Sequence, residues 1–538
     1  MGTTGKRALA LAVAVLLAMT AGASWRTAAG HADGVTAVTS EGLLNQAQAN
    51  PNSRFRVIVQ SDTSADAGAA VADAIANLPA DGTSVSDTYT VIPGVAAKLS
   101  GDQVVALASD PRAHVITSDG TVVLTGSYSH FSNSQPWPVT PGAPKFWSMG
   151  GQGPAIAVVD SGIDAGLNDF GGRVLASVDL TTGNSQNSPG DGFGHGTFVA
   201  GIAADGAWGH AGFAPATPLV SLDVMDDQGM ARTSDVVNAA DWILANHDQY
   251  NIRVANFSLT GSVTTSFMYS PLDKAVEALW NSGIVVVAAA GNYGTADGPS
   301  GELYAPGNDP FVITVGAADT NGSADASDDF AAPWSAYGST PDGFHKPELC
   351  APGRVMDGPV PTDSTIYMQH PDRIVSDGYV WLSGTSFAAP VVSGAASYLL
   401  ARHPGWTPDQ VKGALMLTAS PGPGDSAFAC GVGETRADVA AKVWGPPNPN
   451  AALDQFVVNP ADGGPPRFDA DAWRAAASAD ASWDSASWDS ASWDSASWDS
   501  ASWDSASWDS ASWDSASWDS GSLSDGSLPT SAALIWVE

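Results

Sequence analysis

Three short segments carry residues that could act together on a carbonyl group. They are Val158-Val159-Asp160-Ser161-Gly162, Gly194-His195-Gly196-Thr197 and Ser383-Gly384-Thr385-Ser386-Phe387-Ala388-Ala389-Pro390. A serine hydroxyl becomes a nucleophile when an imidazole takes its proton, and a carboxylate orients that imidazole. Each residue alone has a plainer explanation, as a turn, loop or helix-capping residue. Their joint occurrence predicts nucleophilic catalysis by Ser386, with His195 as the base and Asp160 as the orienting acid.

The segments lie where a parallel sheet would position them. Apolar runs such as Ala155–Val159 and Ile284–Val287 alternate with helical stretches from Pro154 to about Trp444. Continuous apolar strands alternating with helices predict a doubly wound, mostly parallel α/β sheet covered on both faces. Ligands of such folds sit beyond the carboxyl ends of the strands. Asp160 ends one predicted strand, Gly291-Asn292 follows another, and Ser386 begins a predicted helix, whose free N–H groups favour negative charge.

The motifs, in the order Asp, His, Ser, resemble those of the subtilisin family. Chymotrypsin-like proteases have the order His, Asp, Ser and are disfavoured. The resemblance covers roughly Gly151 to Trp444. It extends to Ala288-Ala289-Ala290-Gly291-Asn292, Ala305-Pro306-Gly307, Val315-Gly316-Ala317 and Lys346-Pro347-Glu348-Leu349-Cys350-Ala351-Pro352-Gly353.

The resemblance implies a serine endopeptidase that works through an acyl-enzyme. Asn292 would be the side-chain donor of the oxyanion hole, with the backbone N–H of Ser386 as the second donor. Residues of the substrate pocket would be Leu259, Gly261, Ala290 and Tyr304, with Tyr304 at a shallow floor. Phe198 stands where many relatives have histidine and Phe387 where many have methionine, and neither replacement touches a reacting atom. Cys350 is also unusual in its motif.

The N-terminal third predicts two segments that precede the catalytic region. Residues 1–23 have Lys6 and Arg7, a short apolar run and Ala21-Gly22-Ala23, which is the layout of a secretory signal peptide, so we expect a secreted, extracellular protein with a possible association with the cell surface. Residues 50–120 read β-α-β-β-α-β, a ferredoxin-like order with its second strand around Thr88–Val91. This segment resembles the subtilisin propeptide, which assists folding and then inhibits. Residues 121–150 are predicted to be a linker to the catalytic domain at 151–450.

Charge and composition limit the classes of molecule that the protein could bind. The net charge of −35 and the pI near 4.2 argue against nucleic acid, which needs a basic surface. The expected partners are protein or peptide substrates and the chain's own propeptide, and no segment is long and apolar enough to predict a membrane span.

No cofactor is expected. The resemblance allows structural calcium, with Asp164 and Asp169 as loose candidates, but no metal residue is assigned.

The only two cysteines, Cys350 and Cys430, could form a disulfide or remain buried thiols.

The C-terminal tail, residues 475–538, is low in complexity. Residues 481–520 are eight tandem copies of Ala-Ser-Trp-Asp-Ser. A period of 5 matches neither a helix nor a strand, so we expect a solvated, disordered tail. Evenly spaced tryptophans could instead bind a surface or polymer. The competing hypothesis is therefore a catalytically silent subtilisin fold that presents an adhesive tail.

Overall fold

A computed structural model describes most of the chain between residues 37 and 479. The described ranges are 37–61, 67–78, 84–124, 135–147, 152–182, 189–295, 298–421, 429–461 and 464–479, with the short pieces 22–23, 25–26 and 523–524. The prediction for the signal peptide concerns residues outside these ranges, apart from the strand Gly22–Ala23, which pairs antiparallel with Leu523–Ser524. The tail predicted as disordered at 475–538 also lies outside them, apart from Leu523–Ser524 and residues 475–479, and the latter are not disordered because they complete the helix Ala470–Ala479.

The centre of the molecule is an eight-stranded sheet that carries the candidate residues at strand ends. Its strands, in spatial order, are Val174–Asp179, Leu219–Asp223, Ala155–Asp160, Ile252–Phe257, Val285–Ala289, Ile313–Asp319 and Phe330–Ala331, with Leu349–Pro352 also paired to Ile313–Asp319. All pairs are parallel except that of Phe330–Ala331. Every residue of Ala155–Asp160 and Val285–Ala289 is buried, as expected for strands covered on both faces. The predicted α/β class with a mainly parallel sheet is confirmed.

Two pairs of long helices pack on the sheet. Thr385–Arg402 packs against His195–Ala204, and Thr233–Tyr250 packs against Pro271–Asn281. The remaining helices after residue 135 are Ala143–Trp147, Thr365–Gln369, Pro408–Thr418, Ala437–Ala440, Ala451–Asp454 and Ala470–Ala479, with 3-10 turns at Asn168–Phe170 and Pro371–Arg373. Short strands form hairpins and small sheets at Gly338–Ser339 with His345–Lys346, Met356–Pro359 with Tyr379–Leu382 and Ile374–Ser376, and Val457–Val458 with Arg467–Phe468.

The N-terminal domain has its own sheet and core, and it begins before the predicted start at residue 50, because residues 25–26 and 38–40 add strands to the sheet and residues 43–47 add side chains to the core. The strands lie in the order Trp25–Arg26, Val38–Ser40, Val115–Ser118, Arg54–Gln60, Gly94–Ser100 and Ser84–Thr88. Its helices are Glu41–Ala49, Ala67–Ala76 and Gly101–Leu107. The extended segment predicted at Thr88–Val91 lies mostly beyond the strand that the structure shows. Thr90 and Val91 instead donate backbone N–H groups to the Asp241 carboxylate at 2.5–3.0 Å, a partner that no local pattern reveals.

Two described parts of the stretch predicted as a linker, residues 121–124 and 135–147, are packed structure. Thr121–Leu124, which we call the cleft strand, pairs antiparallel with both Met230–Arg232 and Leu259–Gly261. Further along, Trp137 and Phe146 are buried in the core of the catalytic domain. The linker assignment therefore needs correction within 121–124 and 135–147, because Ser, Pro and Gly composition does not reveal pairing with distant strands.

The two cysteines are bonded. The Sγ atoms of Cys350 and Cys430 are 2.00 Å apart and the Cα atoms 4.9 Å apart, so the alternative of two free thiols is not what the structure shows. The bond ties the strand Leu349–Pro352 to a loop near the C-terminal end of the domain. Within the described residues, no helix has both the length and the apolar character needed to cross a membrane.

Candidate active site

Asp160 and His195 form a buried hydrogen-bonded pair. Asp160 ends its strand, and its Oδ1 accepts hydrogen bonds from Nδ1 of His195 and from the backbone N–H of Ser161, both at 2.8 Å. Asp160 is 0% exposed and His195 is 2% exposed. Because an ionised carboxylate only accepts, Nδ1 carries the proton of a neutral ring and Nε2 is left as a base. Nε2 is buried and has no hydrogen-bond partner among the described residues.

The glycines around His195 are required by packing. A Cβ added to Gly196 would lie 2.1 Å from the carbonyl oxygen of Gly162, and one added to Gly194 would lie 2.6 Å from Oγ of Ser364. Gly194 also has φ of 101°, in the left-handed region that favours glycine. Gly196 therefore lets the helix that begins at His195 approach the strand end that carries Asp160, and Gly194 lets the preceding turn approach Ser364.

Asp191 organises the same turn, and sequence reasoning missed it. Its carboxylate is buried and accepts from the N–H groups of Gly194 and Thr197 at 2.6 and 2.7 Å and from Oγ of Ser161 at 2.9 Å. Burial raises the pKa of Asp191 to about 6 despite those donors. An acidic residue just before a helix is a capping signal that could have identified it.

Ser386 lies in the first turn of the helix Thr385–Arg402 and is 0% exposed. Its hydroxyl donates to the carbonyl oxygen of Ser258 at 3.1 Å, and Oγ of Ser258 donates to the carbonyl oxygen of Ser386 at 2.7 Å. The next residue, Phe387, has its ring centroid 5.3 Å from that of His195. The fold thus brings the start of this helix beside the imidazole, while the hydroxyl points to Ser258.

Asn292 is held so that its amide N–H2 group remains available. Its Oδ1 accepts from the backbone N–H and the hydroxyl of Thr385, both at 3.0 Å. A backbone N–H can only donate, which identifies the accepting atom as oxygen. Nδ2 is buried and, within the described ranges, has no acceptor. Thr385, the residue before Ser386, therefore binds the oxygen of the Asn292 side chain and leaves the Nδ2 donor directed away from Thr385.

The four predicted pocket residues lie on neighbouring elements. Leu259 and Ala290 are fully buried, and the N–H of Gly261 donates to the carbonyl oxygen of Ala305 at 2.7 Å. Tyr304 is half-buried, and its ring packs edge-on against Tyr293 with centroids 5.1 Å apart. Tyr304 therefore makes packing contacts whether or not it also faces a substrate.

The two aromatic departures from the family pattern pack on each other. The rings of Phe198 and Phe387 have centroids 4.5 Å apart, and both side chains are buried. Phe387 also packs against His195, with ring centroids 5.3 Å apart. The paired replacement is thus accounted for by packing.

The loose calcium candidates are engaged in other contacts. Oδ1 of Asp164 accepts from the N–H of Gly166 at 2.9 Å, and Oδ1 of Asp169 accepts from the hydroxyl of Tyr379. Among the described residues, no group of three or more His, Cys, Asp or Glu side chains is arranged to hold a metal ion.

Comparison with known proteins places the chain in a family. A model of the subtilase family matches residues 151–433, more than half of the chain. Serine protease AprX of Bacillus subtilis (strain 168) is 36% identical over 280 residues, 49% of this chain and 61% of that protein. Subtilisin NAT of Bacillus subtilis subsp. natto is 31% identical over 344 residues, 63% of this chain and 78% of that protein. The extracellular serine proteinase of Thermus sp. (strain Rt41A) is 32% identical over 364 residues, 65% and 77%. The resemblance drawn from the motifs is confirmed, and the chain belongs to the subtilase family of serine endopeptidases.

Proposed function

We propose that this chain is an exported endopeptidase that cuts peptide bonds through an acyl-enzyme on Ser386 and is made as an inactive precursor that cuts itself. The observation that carries the catalytic part is the 2.8 Å hydrogen bond between Asp160 and His195, at the sheet edge where Ser386 begins its helix. Proteins and peptides are the substrates. No cofactor takes part in the proposed steps.

His195 acts as base and then as acid. The Ser386 hydroxyl rotates from the Ser258 carbonyl towards Nε2 of His195 and gives its proton to Nε2 as Oγ bonds to the substrate carbonyl carbon. The same proton passes to the leaving amine when the C–N bond breaks. Water then attacks the acyl-enzyme by the reverse sequence and frees Ser386. Asp160 keeps the ring in the required tautomer and stabilises the imidazolium.

Asn292 stabilises the oxyanion of each tetrahedral intermediate. Its Nδ2 is the donor left over when Thr385 binds its oxygen. The backbone N–H of Ser386 belongs to the first turn of the helix Thr385–Arg402, where the helix dipole favours negative charge. Two donors fixed before the reaction stabilise charge that appears only in the transition state, without reorganisation during the step.

The substrate binds as an added β-strand. The cleft strand, Thr121–Leu124, already lies between Met230–Arg232 and Leu259–Gly261 as the middle strand of a three-stranded sheet. Main-chain pairing of this kind accepts peptides of many sequences, while side-chain pockets add selectivity. We therefore expect the substrate to bind between Met230–Arg232 and Leu259–Gly261, in the place that the cleft strand occupies in the precursor.

The N-terminal domain is the proposed inhibitor. Its Asp119 carboxylate accepts from the backbone N–H of Ser234 at 3.0 Å and so caps the helix Thr233–Tyr250. From the other side, Asp241 of that helix accepts the N–H groups of Thr90 and Val91. With its own chain seated in the cleft, the precursor has no room for a substrate.

The register of the cleft strand points to the bond that is cut. Leu124 pairs with Leu259 and Val123 with Thr260, so a peptide continuing this register by one residue would face Ser258. Ser258 is the residue whose carbonyl accepts the Ser386 hydroxyl. We expect self-cleavage within one or two residues after Leu124, giving a mature enzyme that starts near Gly126.

Export and the tail are also part of the proposal. The basic and apolar layout of residues 1–23 supports secretion, and the repeats at 481–520 support contact with a surface or polymer. The alternative function, a silent fold that presents this tail, is disfavoured by the aligned Asp160 and His195 and by the oriented Asn292.

The proposal is tested by replacing the nucleophile. Ser386→Ala should lose on the order of 10⁶ in turnover on a peptide substrate and should accumulate as an uncut precursor. The matched control is Ser177→Ala at an exposed serine of an outer strand, which should mature and hydrolyse normally. Normal maturation of Ser386→Ala expressed alone would contradict self-processing, and retained turnover would contradict the catalytic assignment.

A further inference from the structure

The helix Ala470–Ala479 follows the residues matched by the family model and contributes no group to the proposed chemistry. It nevertheless packs closely on the catalytic domain. Just before it, Phe468 is 4% exposed, and its ring centroid lies 5.5 Å from that of Phe267 and 5.4 Å from that of Phe311. Trp473 on the helix lies 6.0 Å from Phe267 by the same measure. Aromatic packing of this kind fixes both position and orientation. The helix is therefore an integral part of the surface of the catalytic domain.

One side of this helix reaches the N-terminal domain. Oδ2 of Asp471 lies 3.6 Å from Nε2 of His114. His114 immediately precedes the strand Val115–Ser118, and the cleft strand follows that strand after two residues. Asp471 thus contacts the chain just before it enters the cleft.

Tyr269 of the catalytic domain contacts both the N-terminal domain and the helix Ala470–Ala479. Its ring is buried in a cluster with Val38 and Val115 of the N-terminal domain, and its carbonyl oxygen accepts from Nε2 of Gln60 at 3.1 Å. The Arg474 guanidinium lies 5.4 Å from the ring centroid of Tyr269, within the range of a cation–π contact. Arg474 also pairs with Asp471 on the preceding turn. A contact between domains is therefore supported from the C-terminal side.

We propose that the helix Ala470–Ala479 completes the docking surface for the N-terminal domain and slows its departure after self-cleavage. The proposal rests on the proposed function, in which that domain is an inhibitor that must leave. The exposed contact between His114 and Asp471 and the cation–π contact of Arg474 with Tyr269 are each weak. Because Arg474 also pairs with Asp471, loss of either side chain should disturb both contacts and speed opening about five- to tenfold.

The experiment uses the full-length Ser386→Ala precursor, in which the N-terminal domain stays attached. Hydrogen exchange is followed at the amides of Val115–Ser118 and of Thr121–Leu124. Arg474→Ala and, separately, Asp471→Asn should each speed exchange in both strands about five- to tenfold, because local opening sets the exchange rate. Lys442→Ala is the matched control, since it removes an exposed charge from the same C-terminal part of the chain without touching this contact.

A second measurement separates docking from catalysis. In the otherwise wild-type chain, Arg474→Ala should shorten the delay between self-cleavage and full activity about five- to tenfold, with the turnover of the mature enzyme unchanged. Exchange and delay within twofold of the parent protein for both variants would overturn the inference. Rapid exchange of Thr121–Leu124 in the parent precursor would instead contradict the inhibitor role itself, so the two failures are distinguishable.

Discussion

At the residue scale, the groups that would react are oriented by neighbours of ordinary type. Thr385 holds the oxygen of Asn292, Ser258 holds the Ser386 hydroxyl, and Asp191 holds the turn before His195. A threonine, a serine and an aspartate in these roles look like any helix or loop residue. The roles of Thr385 and Ser258 depend on distances between segments far apart in the chain, whereas that of Asp191 is local.

Removing the side-chain donor of the oxyanion hole tests the role of Asn292. Asn292→Ala should lower turnover by about 10² to 10³ and leave KM nearly unchanged, because the hydrogen bond forms mainly in the transition state. The measurement is steady-state kinetics on a soluble peptide, with Asn246→Ala on a helix surface as the control. An unchanged turnover number would remove Asn292 from the mechanism.

Tyr304 tests the shape of the substrate pocket. If its ring forms the floor, Tyr304→Gly should favour cleavage after large aromatic residues over cleavage after alanine. Its edge-on packing against Tyr293 is the competing role, and loss of that packing alone would lower stability without changing preference. Peptide-library profiles of the two proteins distinguish the roles, and superimposable profiles would exclude the floor position.

The motifs allowed the four candidate residues of the site to be predicted from the sequence, but not the neighbours of the glycines beside His195. A Cβ on Gly196 would meet Gly162, and a Cβ on Gly194 would meet Ser364. A glycine in a sequence reports that a side chain would not fit, but it does not say which neighbour excludes it.

At the element scale, the buried helix Pro271–Asn281 faces an unusual group of charged residues. Its Asp273 and Glu277 are buried beside Asp309, and the other charged groups that act on these three acids are Lys274, Asp342, Lys346 and Lys412. Burial raises the pKa of Asp309 to about 7, although Lys346 opposes the shift. Periodicity predicted the strands around this helix but could not reveal that three acids meet inside.

This cluster makes stability depend on pH. A carboxyl whose pKa is higher in the folded state stabilises the fold fully below its unfolded pKa near 4, and that contribution is lost as the pH rises through about 7. Asp309→Asn cannot ionise, so the decline in unfolding free energy between pH 5 and pH 8 should shrink by on the order of 2 kcal/mol.

The measurement is urea unfolding of the Ser386→Ala precursor, which cannot digest itself. Asp363→Asn, at an exposed position, is the control and should leave the pH dependence as it is. Equal pH dependence in the parent and Asp309→Asn proteins would show that Asp309 is ionised in the fold across this range.

At the scale of the whole molecule, we expect peptide hydrolysis and retention on a surface to depend on different parts of the chain. Deleting residues 480–538, which follow the helix Ala470–Ala479, removes no group that touches a substrate in the proposed mechanism, so turnover on a small peptide should stay within about twofold. Retention on cell envelope or insoluble protein should fall, because many weak contacts from repeated tryptophans act together. Loss of peptide turnover in a folded truncate would contradict the separation, and equal retention would leave the tail as a spacer.

Domain docking was the part of the molecule least accessible from sequence. Local patterns predicted strands within residues 50–120 but misplaced the one at Thr88–Val91, and they did not predict that Thr121–Leu124 lies between two strands of the catalytic domain. Pairing across about a hundred residues leaves no mark on either segment alone. The same is true of the contact between Asp471 and His114.

The central claim is that Ser386 is the nucleophile of an active peptidase, and one labelling measurement tests it most directly. Secreted protein is treated with a serine-reactive fluorophosphonate, and the adduct is located by mass spectrometry while peptide hydrolysis is followed. We expect one adduct per mature chain, on Ser386, with activity lost in proportion to labelling and no adduct on Ser386→Ala. An adduct on another residue, or full hydrolysis by the labelled protein, would contradict the account.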